Sequence, residues 1–110
     1  PVICITGDGG AQFSLPELMV AMEENLSITF VIWNNYGYQE IETSMAAADI
    51  TIVGCDPTPP DFAAIAASYA MPFHRCQAET GPLSAALRLA VKTSGPTLIE
   101  MQVSKPPATK

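Results

Sequence analysis

Apolar and polar positions along this chain switch between two periods, and the switching outlines its elements. Val2, Ile3, Cys4 and Ile5 run apolar without alternation, which predicts a strand over 2–7 buried on both faces. Leu15, Leu18, Met19 and Met22 then recur at i, i+3, i+4 and i+7, placing one face of a helix on a sheet. Ser14-x-x-Glu17 has the form of a capping box with Ser14 as N-cap. Pro16 falls in the first turn, where a missing N–H does little harm, and Asn25 reads as the stop. Residues 28–33, Ile-Thr-Phe-Val-Ile-Trp, predict a second strand with Trp33 in the core. From Gly37 to Ala48 the pattern is weaker, and Tyr38 to Glu42 would start a helix that runs through the alanines. Three prolines within 57–60 exclude helix and central strand. Asp61 then caps a helix in which Phe62, Ile65, Ala66 and Tyr69 share a face. A short strand over 72–76, an amphipathic helix over 82–92 (Leu83, Leu87, Ala90, Val91) and a last strand over 97–103 complete the chain.

Strands alternating with helices predict an α/β fold, a three-layer α/β/α arrangement around a mainly parallel open sheet. A length of 110 residues with 48% hydrophobic content is one domain, assigned here to 1–104, with 105–110 expected to be a disordered tail. Pro1 in place of an initiator methionine predicts a piece of something longer. No internal repeat is visible, no apolar run reaches membrane-spanning length, and no signal-peptide pattern opens the chain. Cys4, Cys55 and Cys76 form no C-x-x-C and leave one thiol over under any pairing, which points to free thiols in a reducing, cytoplasmic setting. Cys4, inside an apolar strand, reads as packing.

Charge sharpens the picture through its distribution. The net charge is −6, yet residues 1–74 hold nine acidic side chains and no Lys or Arg, and the five basic residues run from Arg75 to Lys110. That balance argues against nucleic acid as a partner. An anion held by the first half would meet no cationic side chain there. A divalent metal and backbone N–H groups at a helix start would have to balance it.

Gly7-Asp8-Gly9-Gly10 and Asn34-Asn35-Tyr36-Gly37 each follow a predicted strand, with Asp8 and Asn35 27 positions apart. Both motifs therefore fall at the carboxyl ends of strands, where open parallel sheets bind ligands. A carboxylate and an amide carbonyl brought together there suit Mg²⁺ or Ca²⁺, and glycines let a phosphate approach the backbone. Taken singly, Asp8 is as readily a turn residue, Asn35 an Asx-turn side chain, and Gly9-Gly10 an ordinary tight turn. His74, the lone histidine, is far from both motifs in sequence and reads as structural.

The two motifs together resemble the diphosphate-binding signature of thiamine-diphosphate enzymes, in the branch of acetolactate synthases and 2-oxo acid decarboxylases. Pro60-Asp61-Phe62 and Gly95-Pro96-Thr97-Leu98-Ile99-Glu100 resemble the end of the same domain. The resemblance implies a C-terminal diphosphate-binding domain, incomplete at its amino end, that binds thiamine diphosphate through Mg²⁺ (or Ca²⁺ or Mn²⁺). It assigns Asp8, Asn35 and the Gly37 carbonyl to the metal, and Gly7, Asp8, Gly9, Gly10, Asn35, Gly37 and Tyr38 to the cofactor. Asn34 is left to hold the loop by hydrogen bonds to backbone.

Glu40 departs from the family pattern, which has an apolar or small side chain five residues after the Asn35 position, near the reactive ring. A carboxyl there would serve as a general acid or base, or select a cationic substrate group. The plain reading is a solvated glutamate favoured by a helix dipole. Gln39 and Ile41 are lesser candidates for the same pocket, and Tyr36 and Tyr38 for its edge. In the family a separate pyrimidine-binding domain, usually of a neighbouring subunit, supplies the glutamate that contacts the aminopyrimidine ring. The resemblance thus implies a missing partner domain, a homo-oligomer, and a chain inactive alone. A non-catalytic remnant serving as an interaction or structural module is the alternative. A flavodoxin- or receiver-like domain would leave the Asn pair without a purpose.

Overall fold

The computed structural model describes residues 1–104; the expected tail, 105–110, lies outside the described residues. The elements run β1 (Val2–Gly7), α1 (Asp8–Ala11), α2 (Glu17–Glu23), β2 (Ile28–Asn34), α3 (Gln39–Ala47), α4 (Phe62–Ser68), β3 (Phe73–Gln77), α5 (Thr80–Ala90) and β4 (Thr97–Gln102). The four strands form one sheet in the order β1-β2-β4-β3, every pair parallel. Alternate side chains of β2 and β4 feed two cores. On one face Ile32 and Leu98 pack with Ala11, Leu18, Phe62, Ala66 and Met71, from α1, α2, α4 and the turn after α4. On the other, Val31, Ile99 and Met101 pack with Ala86 and Ala90 of α5. Helices thus cover both faces, as the alternation of elements requires. Phe62, Leu98 and Ile99 are fully buried, each worth about 2–3 kcal/mol of transfer free energy.

β1 departs from expectation. Val2, Ile3 and Ile5 are about half exposed or more, and Cys4 is exposed as well. Among the described residues β1 is an edge strand hydrogen-bonded to β2 alone. The same apolar run in β4 has Thr97–Met101 entirely buried. A continuous apolar run reports that a strand needs cover, and does not say what supplies it.

Two helix starts also differ in outcome. Asp61 caps α4 as expected, its Oδ1 accepting from Ala63 N at 3.0 Å and Ala64 N at 3.1 Å. Ser14 does not cap: α2 begins at Glu17, Pro16 is in the N-cap position, and no side chain caps it. The unforeseen α1 is the reason. It runs on through tight turns, Ser14 N donating to Ala11 O and Glu17 N to Ser14 O, both at 3.0 Å, so Ser14 is already inside a turn. Asn25 stops α2 with a left-handed φ of 48°.

Candidate functional site

The carboxyl ends of β1 and β2 open onto one pocket of about 270 Å³. Gly7, Asp8, Gly9, Gly10, Asn35, Gly37, Tyr38 and Glu40 all line it, with Gln39 and Ile41 beside them. Trp33, expected in the core, is 45% exposed and forms a wall of the pocket. Its register partner on β1 is Gly7, which has no side chain to cover the indole.

Three polar groups converge in the pocket: the Asp8 carboxylate, the Asn35 amide and the Gly37 carbonyl. Asp8 is the first residue of α1 and only 3% exposed. The end of the Asn35 side-chain amide lies 2.8 Å from the Gly37 carbonyl oxygen and 3.1 Å from Asp8 Oδ1, with Gln39 Oε1 3.1 Å away on its other side. With its nitrogen toward Gly37 and Asp8 the amide donates to both, and Gln39 turns its own amide to match. With a hard cation bound, the amide would turn its oxygen inward and join the Asp8 carboxylate and the Gly37 carbonyl around it. Carboxylate, amide and peptide oxygens are also the donors that Mg²⁺ and Ca²⁺ take. The residues present therefore fit a hard cation. Among the described residues no three His, Cys, Asp or Glu form a cluster able to hold an ion, so a metal here would rest on this mixed oxygen set.

The loop after β2 is held from three sides. Asn34, 1% exposed, accepts from Tyr36 N at 3.1 Å and donates to Glu100 Oε1 at 2.7 Å. Tyr36 has a left-handed φ of 60°, and its hydroxyl accepts from Gln102 Nε2 at 2.7 Å. Tyr36 thus turns toward β4 and is not part of the pocket wall. Tyr38 N donates to Cys55 O at 2.9 Å, and a Cβ on Gly37 would lie only 2.7 Å from that same carbonyl. Gly37 is glycine because the 54–60 segment crosses directly over it. A Cβ on Gly9 would lie 2.5 Å from Tyr38 Cε1, but this is a side chain that can turn aside where the Cys55 backbone cannot.

Asn34 does bind the loop backbone, as expected. Its second partner was missed. Glu100 also accepts from Arg75 Nε at 2.8 Å, which raises the Arg75 pKa, first through the hydrogen bond and then through charge. The available signal was a lone carboxylate inside an apolar strand, Leu98-Ile99-Glu100-Met101. Among the described residues the pocket is lined by the carboxylates of Asp8 and Glu40 and by no Lys, Arg or His. Glu40 is exposed in the first turn of α3, and His74 lies on β3 at the far edge of the sheet.

Residues 1–101 match the family described as thiamine pyrophosphate enzyme, C-terminal TPP binding domain. The chain is 34% identical over 103 residues to a probable 2-ketoarginine decarboxylase of Pseudomonas aeruginosa, covering 93% of this chain and 18% of that protein. It is 30% identical over 118 residues to a putative acetolactate synthase large subunit of Mycobacterium tuberculosis, covering 94% and 22%. Its fold is that of a thiamine diphosphate-dependent 4-hydroxybenzoylformate decarboxylase of Rhodococcus jostii RHA1, with a TM-score of 0.83 at 24% identity over 97% of this chain and 20% of that one. A benzoylformate decarboxylase of Polynucleobacter necessarius gives 0.84 at 21% identity, over 96% and 20%. The chain belongs to the thiamine pyrophosphate enzymes and corresponds to their C-terminal TPP-binding domain. It spans about a fifth of the length of these relatives.

Proposed function

We propose that this chain is the cofactor-holding part of a thiamine-diphosphate-dependent 2-oxo acid decarboxylase or acetolactate-synthase-like carboligase, and that it grips the diphosphate through a divalent cation, Mg²⁺ before Ca²⁺ or Mn²⁺. The observation that carries this is the convergence of the Asp8 carboxylate, the Asn35 amide, whose oxygen would face a bound cation, and the Gly37 carbonyl. These oxygens are the protein's share of the cation's shell. The first-turn N–H groups of α1, at Gly9 and Gly10, have no intrahelical acceptor and serve as donors to the diphosphate. Among the described residues no basic side chain lines the pocket, so neutralisation falls to the cation. When bound, thiamine diphosphate supplies the electron sink that decarboxylation of a 2-oxo acid requires. Gly7 leaves the Trp33 face open beside it, and Tyr38 closes over Gly9.

Glu40 is the pocket's remaining carboxylate once Asp8 is given to the metal. We assign it to a cationic substrate group. Kinship with a protein named for 2-ketoarginine, a 2-oxo acid with a guanidinium end, supports that choice over proton transfer. A pyrimidine-binding domain of the same or a neighbouring subunit completes the site, within a cytoplasmic homo-oligomer, and the chain alone does not turn over. The one-fifth share of its relatives, the uncovered β1 and three free thiols support this.

Calorimetric titration with thiamine diphosphate, with and without Mg²⁺, tests the reading. Binding that needs the metal and disappears in Asp8→Ala supports it. No binding at high cofactor concentration would favour the non-catalytic module instead, for which the exposed β1 would be the contact surface.

A further inference from the structure

One face of the sheet changes character along its strands. Near the strand starts it is apolar, with Phe30, Leu98 and Phe73 in the core beside α4. Toward the carboxyl ends the same face carries Asn34 on β2, Glu100 and Gln102 on β4, and Arg75 and Gln77 on β3. The register sets Arg75 opposite Glu100, and Gln102 opposite both Asn34 and Gln77. Glu100 is 3% exposed, so it is not there for solubility. A buried carboxylate is retained only where its partners compensate its desolvation. Here the partners lead to the pocket.

We infer that Glu100 is a positioning residue for the Asp8–Asn35–Gly37 cage and acts through Asn34; the inference rests on the cation-bridged reading above. Arg75 Nε occupies Glu100 Oε2 at 2.8 Å, leaving Oε1 for Asn34 Nδ2 at 2.7 Å. That contact fixes which way the Asn34 amide faces. A carboxylate can only accept, so the amide nitrogen must point at Glu100 and the oxygen at Tyr36 N, 3.1 Å away. The bond to Tyr36 N supports a left-handed residue, a conformation that costs a non-glycine side chain about 1 kcal/mol or more. Gln102 Nε2 restrains the Tyr36 hydroxyl at 2.7 Å. Asn35 and Gly37, on either side of Tyr36, carry two of the three groups assigned to the cation. Were the Asn34 amide to turn over, two N–H groups would face each other at Tyr36 and the turn would open.

The test exchanges donor and acceptor. Asn34→Asp sets two carboxylates against each other. Glu100→Gln lets position 100 present either an oxygen or a nitrogen. In the double variant the new amide at position 100 can donate to the new carboxylate at position 34 while accepting from Arg75, so the chain of bonds is rebuilt with its polarity reversed. The readouts are amide NMR spectra of the 110-residue chain, line broadening at Asp8 by Mn²⁺ alone, and Mg²⁺-dependent binding of thiamine diphosphate. Each single variant should shift the Asn35, Tyr36 and Gly37 amides and weaken metal binding by about tenfold or more. The double variant should return both to wild-type values. Leu98→Val, a core control, should lower the melting temperature and move neither readout.

Single variants that behave like Leu98→Val, or a double variant without rescue, would overturn the inference. If Asn34→Asp does not fold, Glu100→Gln and the double variant carry the test. If the wild type binds neither metal nor cofactor, the cofactor reading fails by itself, and the loop amides still report whether Glu100 sets the turn.

Discussion

The two loops that form the pocket are built in opposite ways. The loop after β2 is anchored throughout: Asn34 to Glu100, Tyr36 to Gln102, and Tyr38 to the Cys55 carbonyl that presses on Gly37. The segment after β1 grows from an exposed edge strand, and a Cβ at Gly7 would meet nothing within 4 Å. One half of the site is tied down by side-chain bonds within this chain; the other holds a buried Asp8 but hangs from a strand open along one edge. The same apolar-strand-then-glycine pattern can thus serve as a finished wall or as a surface awaiting cover. What distinguishes them is the position of the strand in the sheet, because β2 has neighbours on both sides and β1 has one.

The largest effect should come from the open half. Asp8→Ala removes the carboxylate of the cage and should abolish Mg²⁺-dependent binding of thiamine diphosphate in calorimetry. Retained metal dependence would break the comparison by showing that the anchored loop suffices.

Next in size is a pair of glycine substitutions. Gly37→Ala puts a methyl 2.7 Å from a backbone carbonyl, so it should cost about 1–3 kcal/mol in urea unfolding. Gly7→Ala has open space and an ordinary extended backbone (φ −74°, ψ 159°), and should stay within about 0.5 kcal/mol of wild type. Equal costs would mean that the two loops are equally constrained.

In the assembled enzyme, Glu40→Gln should raise KM for a guanidinium-bearing 2-oxo acid by about tenfold, the value of one charge-assisted contact, and leave KM for pyruvate nearly unchanged. A parallel change in both would return Glu40 to the role of a solvated helix-start residue.

The smallest effects lie in the thiols. Cys4 on open β1 should react with iodoacetamide first and buried Cys55 last. Burial pushes the Cys76 thiol above its ordinary value of 9.0, so its alkylation should accelerate only at higher pH than that of an unburied thiol. The folded chain holds this proton more tightly than the unfolded one. Stability should therefore fall as pH rises from about 9 through the folded-state value. A Cys4 protected from reagent would show that the β1 edge is covered in solution.

Most elements were legible because their signals are local. The Asp61 cap needs only the two N–H groups that follow it, and Asn25 needs only its own tolerance of positive φ. Signals that depend on a neighbour in space misled. Ser14 had the residues of a capping box, yet the preceding turn had already taken its backbone. Trp33 had the company of a core residue, yet Gly7 left its flank bare. Glu100 drew no reading of its own from the sequence, because its two partners lie 25 and 66 positions away.

By itself, the sequence determined the order of the four strands and of every helix but α1, the glycines and asparagines at two strand ends, and the absence of any Lys or Arg in the first 74 residues. These are consequences of side-chain period, backbone tolerance and charge, which each residue carries with it. Only the tertiary structure decided that β1 lies open while β4 is sealed, that Cys55 presses on Gly37, and that Asp8, Asn35 and Gly37 meet at one point. Those outcomes depend on strand order and register, which bring distant residues into hydrogen-bonding range of one another. A hydrophobic period records that a side chain is to be buried, and contact between distant segments settles against what.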